Sequence, residues 1–282
     1  MDRYGNGAIF FVVLLVLTSI ILVAWPWIIS PIRLKQIYRN CPEDIGQEYE
    51  LCSAGGGLAA EIAEFAGAMA AMRFTAGGHW LQESKSPRYT RLVSIWMNPT
   101  DGDSCTASFD YSRGRDGTVF VLPVVAFCTE YEDGIWLVTS NTRVYPVGHS
   151  PAQDWLLWPR QSDLRKLYAL HRFRIDRRGF AARWFLPPRE EAADYYRKVR
   201  SDDAHRLHAV GYTRRAGDGT WLLTWRGAIR IAWSNLVAQS RSARAKRSRE
   251  LAALLEDFND YNESVSAEKP EWWLPPDERP VT

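Results

Sequence analysis

The sequence predicts an α+β fold. A single N-terminal transmembrane helix is followed by an antiparallel β-meander packed with helices, and then by a helical, basic C-terminal half that contains a second hairpin. Three observations predict this order: an apolar run at residues 8–29, short β-rich runs separated by turn residues at 89–145, and helical periodicity with many arginines at 160–261.

The apolar run has no charged residue between Arg3 and Arg33, and it follows a short N-tail, residues 1–7. A helix needs about 20 apolar residues to cross the hydrocarbon core of a bilayer. A cleaved signal peptide has a shorter apolar core and ends in small residues, whereas this run ends in two tryptophans around a proline. The run therefore predicts a membrane-anchored protein that contacts the lipid bilayer through residues 8–29.

The charges on either side of the run indicate which side of the membrane the soluble part faces. Lys and Arg near the ends of a membrane helix favour the cytoplasmic side. Arg33, Lys35 and Arg39 follow the run, and Arg3 precedes it. We therefore expect the protein in a bacterial inner membrane, with its soluble domain in the cytoplasm.

The four cysteines form two close pairs along the chain, Cys41 with Cys52 and Cys105 with Cys128. Asp116-Gly117 is a two-residue hairpin signal, and a turn centred there opposes residues whose numbers sum to 233, as 105 and 128 do. The second pair is therefore predicted to be cross-strand neighbours, either as a disulfide or as two buried free thiols. Neither pair has the spacing of a structural zinc site.

The segment before the meander, residues 33–88, contains a juxtamembrane stretch and an Ala-rich helix over 58–74. Apolar residues recur at helical spacing along that helix: Leu58, Ile62, Phe65, Met69 and Met72. The β-rich runs of residues 89–145 predict about four antiparallel strands. A sheet of this kind buries one face under helices, and the Ala-rich helix is a candidate cover.

The C-terminal half, residues 160–261, is predicted to be mostly helical. One helix starts near Ser162, another follows Pro187-Pro188, and a long helix extends from 228 to about 261. A Gly-Asp-Gly turn predicts a hairpin over residues 211–225. The acidic, Pro-rich tail that follows is predicted to be disordered over residues 262–282.

The hairpin region, Gly211 to Gly227, reads GYTRRAGDGTWLLTWRG. Its Gly-Tyr strand, Gly-rich turn and Leu-Thr-x-x-Gly ending resemble the wing of winged-helix domains, and predicted helices precede it. This resemblance implies a nucleic-acid-binding module. The helix that would read base edges, Asp202 to Val210, begins with two acids and contains one arginine, Arg206.

Basic residues concentrate in the C-terminal half: from 160 to 249 there are 22 Lys and Arg against 8 Asp and Glu. An apolar stripe with tryptophans stands next to a basic cluster there, a pattern typical of a basic amphipathic helix that lies on anionic lipid. The candidate membrane-surface residues are Trp225, Trp233, Arg241, Arg244, Lys246, Arg247 and Arg249. The alternative is that the stripe packs on the core and the basic cluster is a solvated helix face.

No motif in the sequence indicates a particular chemistry. It has no dinucleotide-binding glycine motif, P-loop, nucleophile elbow or zinc-protease motif. His205 and His208 follow Asp202-Asp203, but a metal site needs three or four converging ligands. We therefore name no catalytic, cofactor-binding or metal-ligating residue.

The sequence favours a non-catalytic, single-pass membrane-anchored protein that acts as an interaction or scaffold module at the membrane surface, where it binds an unidentified protein partner. Two alternatives remain. One is a membrane-tethered nucleic-acid-binding protein that uses the winged-helix-like basic half, and salt-dependent DNA binding would favour it. The other is an enzyme with an unrecognised site, and a deep polar pocket would favour it.

Overall fold

The computed structural model describes residues 29–35, 39–40, 46–49, 57–83, 90–113, 119–142, 152–159, 161–179, 191–238 and 240–264. The helices of this part of the chain are α1 (described over 29–35), α2 (Gly57–Ala71), α3 (Leu164–Arg178), α4 (Ala192–Ala209), α5 (Trp225–Ala238) and α6 (Arg241–Ser264). The strands are β1 (Arg39–Asn40), β2 (Gln47–Glu48), β3 (Thr75–Glu83), β4 (Thr90–Asn98), β5 (Asp103–Arg113), β6 (Val119–Glu130), β7 (Trp136–Ser140), β8 (Gln153–Leu157), β9 (Thr213–Arg215) and β10 (Trp221–Leu223).

The chain divides into two compact units. Unit 1 combines Met1–Cys41 with Asp202–Arg244, and unit 2 combines Pro42–Ser201 with Ala245–Thr282. Both boundaries in the C-terminal half fall inside helices, α4 and α6.

Unit 2 is built on a seven-stranded sheet in the order β2-β3-β4-β5-β6-β7-β8. Neighbouring strands from β2 to β7 pair antiparallel, whereas β7 and β8 pair parallel. The parallel pair is possible because the connection from 141 to 152 is long enough for a crossover, while the other described turns are short. The sheet is therefore mixed.

The predicted fold class was right about α+β but wrong in two respects. The sheet is not a purely antiparallel meander of four strands, because β8 adds in parallel and β2 and β3 extend the other edge. In addition, within the residues that the structure describes, none of the helices has the length and apolar character needed to cross a membrane. The predicted span, residues 8–29, lies outside the described residues except for its last position.

One face of the unit 2 sheet is covered by α2 and α3. Alternate residues of β5 and β6 point to this face and are fully buried, because successive side chains of a strand face opposite sides. Phe65 of α2 lies edge-on to both Trp96 and Phe109, with ring centroids 5.6 and 5.2 Å apart. The buried residues of α2 are Ile62, Phe65 and Met69, followed by Met72 just after the helix, at the spacing of one helical face.

The opposite face of the sheet receives the first turns of α4. Ala192 packs with Trp80, Ile95 and Met97, and Tyr196 stacks on Trp80 at 6.0 Å. Gly77 makes this approach possible, because a Cβ there would lie 2.6 Å from the Cβ of Ala192. The two faces together make unit 2 a layered α+β unit.

The predicted pairing of Cys105 with Cys128 is wrong by one residue. Opposed residues of β5 and β6 sum to 232, so Cys105 lies opposite Phe127 and Cys128 lies opposite Ser104. A slip of one residue places two side chains on opposite faces of the sheet. Neither cysteine forms a disulfide, and Cys105 is buried. The register is continuous through Pro123, so a bulge at the proline is not the cause of the difference.

Unit 1 contains a three-stranded antiparallel sheet in the order β1-β10-β9. Its hairpin, β9 and β10, turns over residues 216–220 within the expected 211–225 region. Helix α5 follows at once, and Thr224 caps it, since its hydroxyl oxygen accepts a hydrogen bond from the Gly227 amide at 3.0 Å. Gly227 is required there, because a Cβ would collide with the Tyr212 carbonyl.

The long helix expected from 228 to 261 is divided into α5 and α6. The break lies at Ser240, whose hydroxyl oxygen accepts from the amide of Ala243 at 3.2 Å and so caps the start of α6. Further along, α6 packs on α3 within unit 2 through Phe258 and Tyr261, whose rings lie 5.7 and 5.1 Å from that of Phe173.

Candidate functional site

Helix α5 of unit 1 exposes four large apolar side chains in one row. The row, here called the apolar ridge, consists of Trp225, Ile229, Trp233 and Val237, which are 51, 54, 53 and 45 % exposed. Residues four apart lie above one another on a helix, so these side chains form a continuous strip. The opposite side of the helix packs into unit 1 through Ala228, Ile231 and Ala232. Both tryptophans of the sequence prediction therefore face outward.

A second row lies beside the apolar ridge on the same exposed side of α5. Arg226 and Arg230 are exposed and four residues apart, and each directly follows a ridge residue in the chain. We call these two the arginine ridge. These two arginines are not among the residues predicted from the sequence, because the denser basic cluster of α6 is the stronger signal there. The four-residue spacing next to the tryptophans is the signal that could have identified them.

The apolar ridge begins next to the segment that follows the apolar N-terminal run. The ammonium of Lys35, in α1, lies 4.4 Å from the ring centre of Trp225, a cation–π contact. In the sequence, α1 comes directly after residues 8–28. Helix α1 therefore connects the most apolar segment of the chain to the start of the apolar ridge.

The basic cluster of α6 is arranged differently. Arg244, Lys246 and Arg249 are exposed and Arg247 is half-buried, and the side chain of Arg241 is outside the described residues. At about 100° per residue, these positions are spread around the helix rather than along one face. Lys246 also lies 3.7 Å from Glu250. The predicted membrane-surface set thus divides into tryptophans that share a ridge on α5 and basic residues of α6 that do not share a face.

The histidine pair weighed as a metal site has a packing role in unit 1. The rings of His205 and His208 lie 5.2 and 5.1 Å from the indole of Trp221. His208 also donates from Nδ1 to the carbonyl of Thr213, at 2.9 Å. Across the residues described, no cluster of three or more His, Cys, Asp or Glu has the arrangement to hold a metal ion.

Unit 2 contains a buried polar network between the sheet and α3. Its centre is Asp103, which is fully buried. The carboxylate accepts hydrogen bonds from the Thr129 hydroxyl at 2.6 Å, the Tyr168 hydroxyl at 2.8 Å and the Arg172 guanidinium at 2.9 Å. Asp101 lies 3.8 Å from the same guanidinium. Three hydrogen-bond donors, one of them the positively charged Arg172, offset the cost of burying this carboxylate.

His171 continues the network with a defined direction of hydrogen bonding. The Thr129 hydroxyl uses its proton on Asp103, so its oxygen accepts from His171 Nε2 at 2.9 Å. On the other side, the Thr139 hydroxyl accepts from Arg174 at 2.8 Å and lies 3.0 Å from His171 Nδ1. His171 therefore carries a proton on Nε2.

Arg174 closes the network at β8. Its guanidinium donates to the Val138 carbonyl at 2.7 Å and to the Asp154 carbonyl at 3.2 Å, and it pairs with the Asp154 carboxylate at 2.9 Å. The side chains of Thr129, Thr139 and His171 have no exposed surface. In this conformation a substrate does not reach His171, so the network's role is to fasten α3 to the central strands and to the edge strand.

The buried tyrosines of unit 2 make its stability depend on pH in the alkaline range. Burial, followed by the charges of Asp103 and Asp101, raises the pKa of Tyr168, and burial raises the pKa of Tyr195 and Tyr196 as well. In an unfolded chain the pKa of tyrosine is about 10. The stabilisation from keeping these hydroxyls protonated is therefore present below about pH 10 and is lost as the pH rises further.

We expect the free energy of unfolding, measured by urea titration between neutral pH and about pH 11, to fall above about pH 10. In that range the free energy of unfolding of the variant Tyr168→Phe should fall less steeply than that of the natural chain, because the variant has one ionising group fewer. The difference in slope should be up to about 1.4 kcal/mol per pH unit. Parallel pH profiles for the two proteins would show that Tyr168 ionises equally in the folded and unfolded states.

No protein-family model, curated protein or solved structure matches this chain.

Proposed function

We propose that this protein is a non-catalytic interaction module that works at a membrane surface, with residues 8–29 in contact with the bilayer and the apolar ridge of α5 lying on the same membrane. The observation that carries the proposal is the ridge itself. Four large apolar side chains, two of them tryptophans, are each about half exposed along one helix. Helices with such a strip and a polar remainder lie in the membrane interface.

The position of the ridge in the chain supports a lipid occupant. The Lys35–Trp225 contact joins the start of the ridge to α1, the segment that directly follows the apolar run of residues 8–28. A bilayer that holds this run would thus lie close to α5. Tryptophan suits the interface because its ring is apolar while its indole N–H binds water or headgroups.

The expected side is the cytoplasmic leaflet of a bacterial inner membrane. The lysine and arginines after the apolar run favour this side, because positive flanks remain in the cytoplasm. Cys105 and Cys128 form no disulfide, which is in keeping with a reducing compartment.

Photo-crosslinking of the full chain in lipid vesicles tests the proposal without assuming the partner. With photoreactive benzoylphenylalanine in place of Ile229, at the middle of the apolar ridge, we expect adducts to lipid. The matched control has the same group in place of Val210, an exposed apolar residue (50 %) of the same unit that lies outside the ridge. It should give few lipid adducts. Adducts from residue 229 to a second copy of the chain, or none to lipid, would contradict the proposal.

A nucleic-acid-binding role is the second candidate, and one observation favours it. Arg214 and Arg215 are both exposed on β9, the outer strand of the hairpin that resembles a wing. Phosphate contacts make such binding weaken with salt. Binding of duplex DNA that weakens in the variant Arg214→Gln/Arg215→Gln would support this candidate. A lack of DNA binding at low salt would exclude it.

A further inference from the structure

We infer that Arg226 and Arg230 bind the phosphates of anionic lipid headgroups, so that docking of α5 is selective for acidic phospholipid. This inference rests on the proposed membrane-surface function and names the partner class of the same site. It assigns headgroup recognition to the arginine ridge of α5 instead of the basic cluster of α6.

The two arginines lie beside the apolar ridge on the exposed side of α5. On a helix with about 100° per residue, Arg226 and Arg230 stand next to the middle of the apolar ridge, on the side away from Ala228 and Ala232. A helix that lays Ile229 and Trp233 on the apolar boundary therefore brings both guanidinium groups to the level of the headgroups. Long arginine side chains can extend their charged ends toward water while their stems contact apolar surface.

Among the described residues, neither Arg226 nor Arg230 makes an ion pair, in contrast to Arg91, Arg172 and Arg177. Residues 219–249 contain seven Lys and Arg and not one Asp or Glu, so no acidic neighbour in sequence competes for these groups. A planar guanidinium matches two phosphate oxygens at once, which favours phosphate over a neutral headgroup.

Additional positive charge lies beside the apolar ridge. Arg33, which is exposed, and Lys35 lie in α1 of the same unit, and Lys35 contacts Trp225. Positive charge therefore lies at the beginning of the apolar ridge as well as along it. Attraction to an anionic leaflet grows with each basic residue near the surface and decreases with salt.

The test uses the full chain with benzoylphenylalanine in place of Ile229, in vesicles of phosphatidylcholine alone or mixed with phosphatidylglycerol. We expect the lipid adduct yield to rise with the anionic fraction and to fall at high salt. In the variant Arg226→Gln/Arg230→Gln, the ratio of membrane-docked to undocked α5 on mixed vesicles, read from the adduct yield, should drop about thirtyfold, toward the phosphatidylcholine value. The control Arg214→Gln/Arg215→Gln removes the same charge from the same unit but away from the ridge, and it should keep the natural yield.

The outcomes separate the inference from the function on which it rests. Equal adduct yields on both kinds of vesicle, or equal losses in the two double variants, would overturn the inference while leaving lipid docking intact. Absence of lipid adducts under every condition would overturn the proposed function itself. Circular dichroism of each variant checks folding, which substitution of these exposed side chains should leave unchanged.

Discussion

Replacement of Asp103 with alanine is expected to lower the free energy of unfolding by about 3–5 kcal/mol. The substitution leaves the Arg172 guanidinium without its closest carboxylate and leaves the buried hydroxyl of Thr129 without its acceptor. Tyr168 retains a carboxylate oxygen of Asp101 at 3.1 Å, which limits the loss. A buried charge that loses its partner costs far more than an exposed pair contributes.

The matched control is Asp110→Ala on the same strand. Asp110 pairs with Arg91 at 2.5 Å, but the two side chains are 35 and 51 % exposed, so the loss should be at most about 1 kcal/mol. Urea titration followed by circular dichroism measures both variants. Equal losses at the two positions would show that the Asp103 network does not stabilise unit 2 beyond an ordinary surface pair.

The second large effect is expected at His171. His171→Ala removes both hydrogen bonds that join Thr129 and Thr139 and leaves a cavity beneath α3, which together should cost about 3 kcal/mol. Asp103 and His171 share Thr129 as a partner, so their effects should not add. We expect the double variant Asp103→Ala/His171→Ala to lose about 0.5–3 kcal/mol less free energy of unfolding than the sum of the two single losses.

The control for this cycle is the pair Asp110→Ala and His171→Ala, which have no partner in common in the described network. Their losses should add to within about 0.5 kcal/mol. If the losses of Asp103→Ala and His171→Ala add as closely as those of the control pair, the hydrogen bonds through Thr129 do not act as one network.

The sequence predicted the apolar residues of α5 but not which of them face solvent. Periodicity shows that Trp225, Ile229 and Trp233 share one side of a helix, and such a side usually packs on the core. In this unit the opposite side, with Ala228, Ile231 and Ala232, packs instead, and the side that carries the tryptophans stays outside. Only the positions of neighbouring strands and helices decide between the two sides, and periodicity contains no information about them.

The buried network was not foreseen because its members are ordinary polar residues on separate elements. Asp103, Thr129 and Thr139 come together only after β5, β6 and β7 align. One indirect signal was present: His171 interrupts the apolar stripe of α3 at a core-facing position, and Asp103 occupies a strand position on the same face as Cys105. A polar residue inside an apolar pattern indicates that the fold provides a buried hydrogen-bond partner for it.

The sequence predicted the pairing of β5 with β6 but not its exact register. The turn signal at Asp116-Gly117 correctly indicated that β5 and β6 form a hairpin, but the register is shifted by one residue from a turn centred between those two. Turn length sets register in a hairpin, and one residue reverses which face each side chain occupies. Cys105 consequently joins the buried core while Cys128 lies on the other face.

The central claim is that the apolar ridge of α5 lies in a membrane interface, and the immersion depth of residue 229 tests it most directly. A nitroxide label at Ile229→Cys is compared with one at Val210→Cys, in full chains whose four native cysteines are replaced by alanine, reconstituted in anionic vesicles. The account predicts that the label at 229 collides with lipid-soluble oxygen more than with a water-soluble nickel chelate, as expected about 5–10 Å below the headgroups. The label at 210 should show the reverse. Equal exposure of both labels to the nickel chelate would contradict the account.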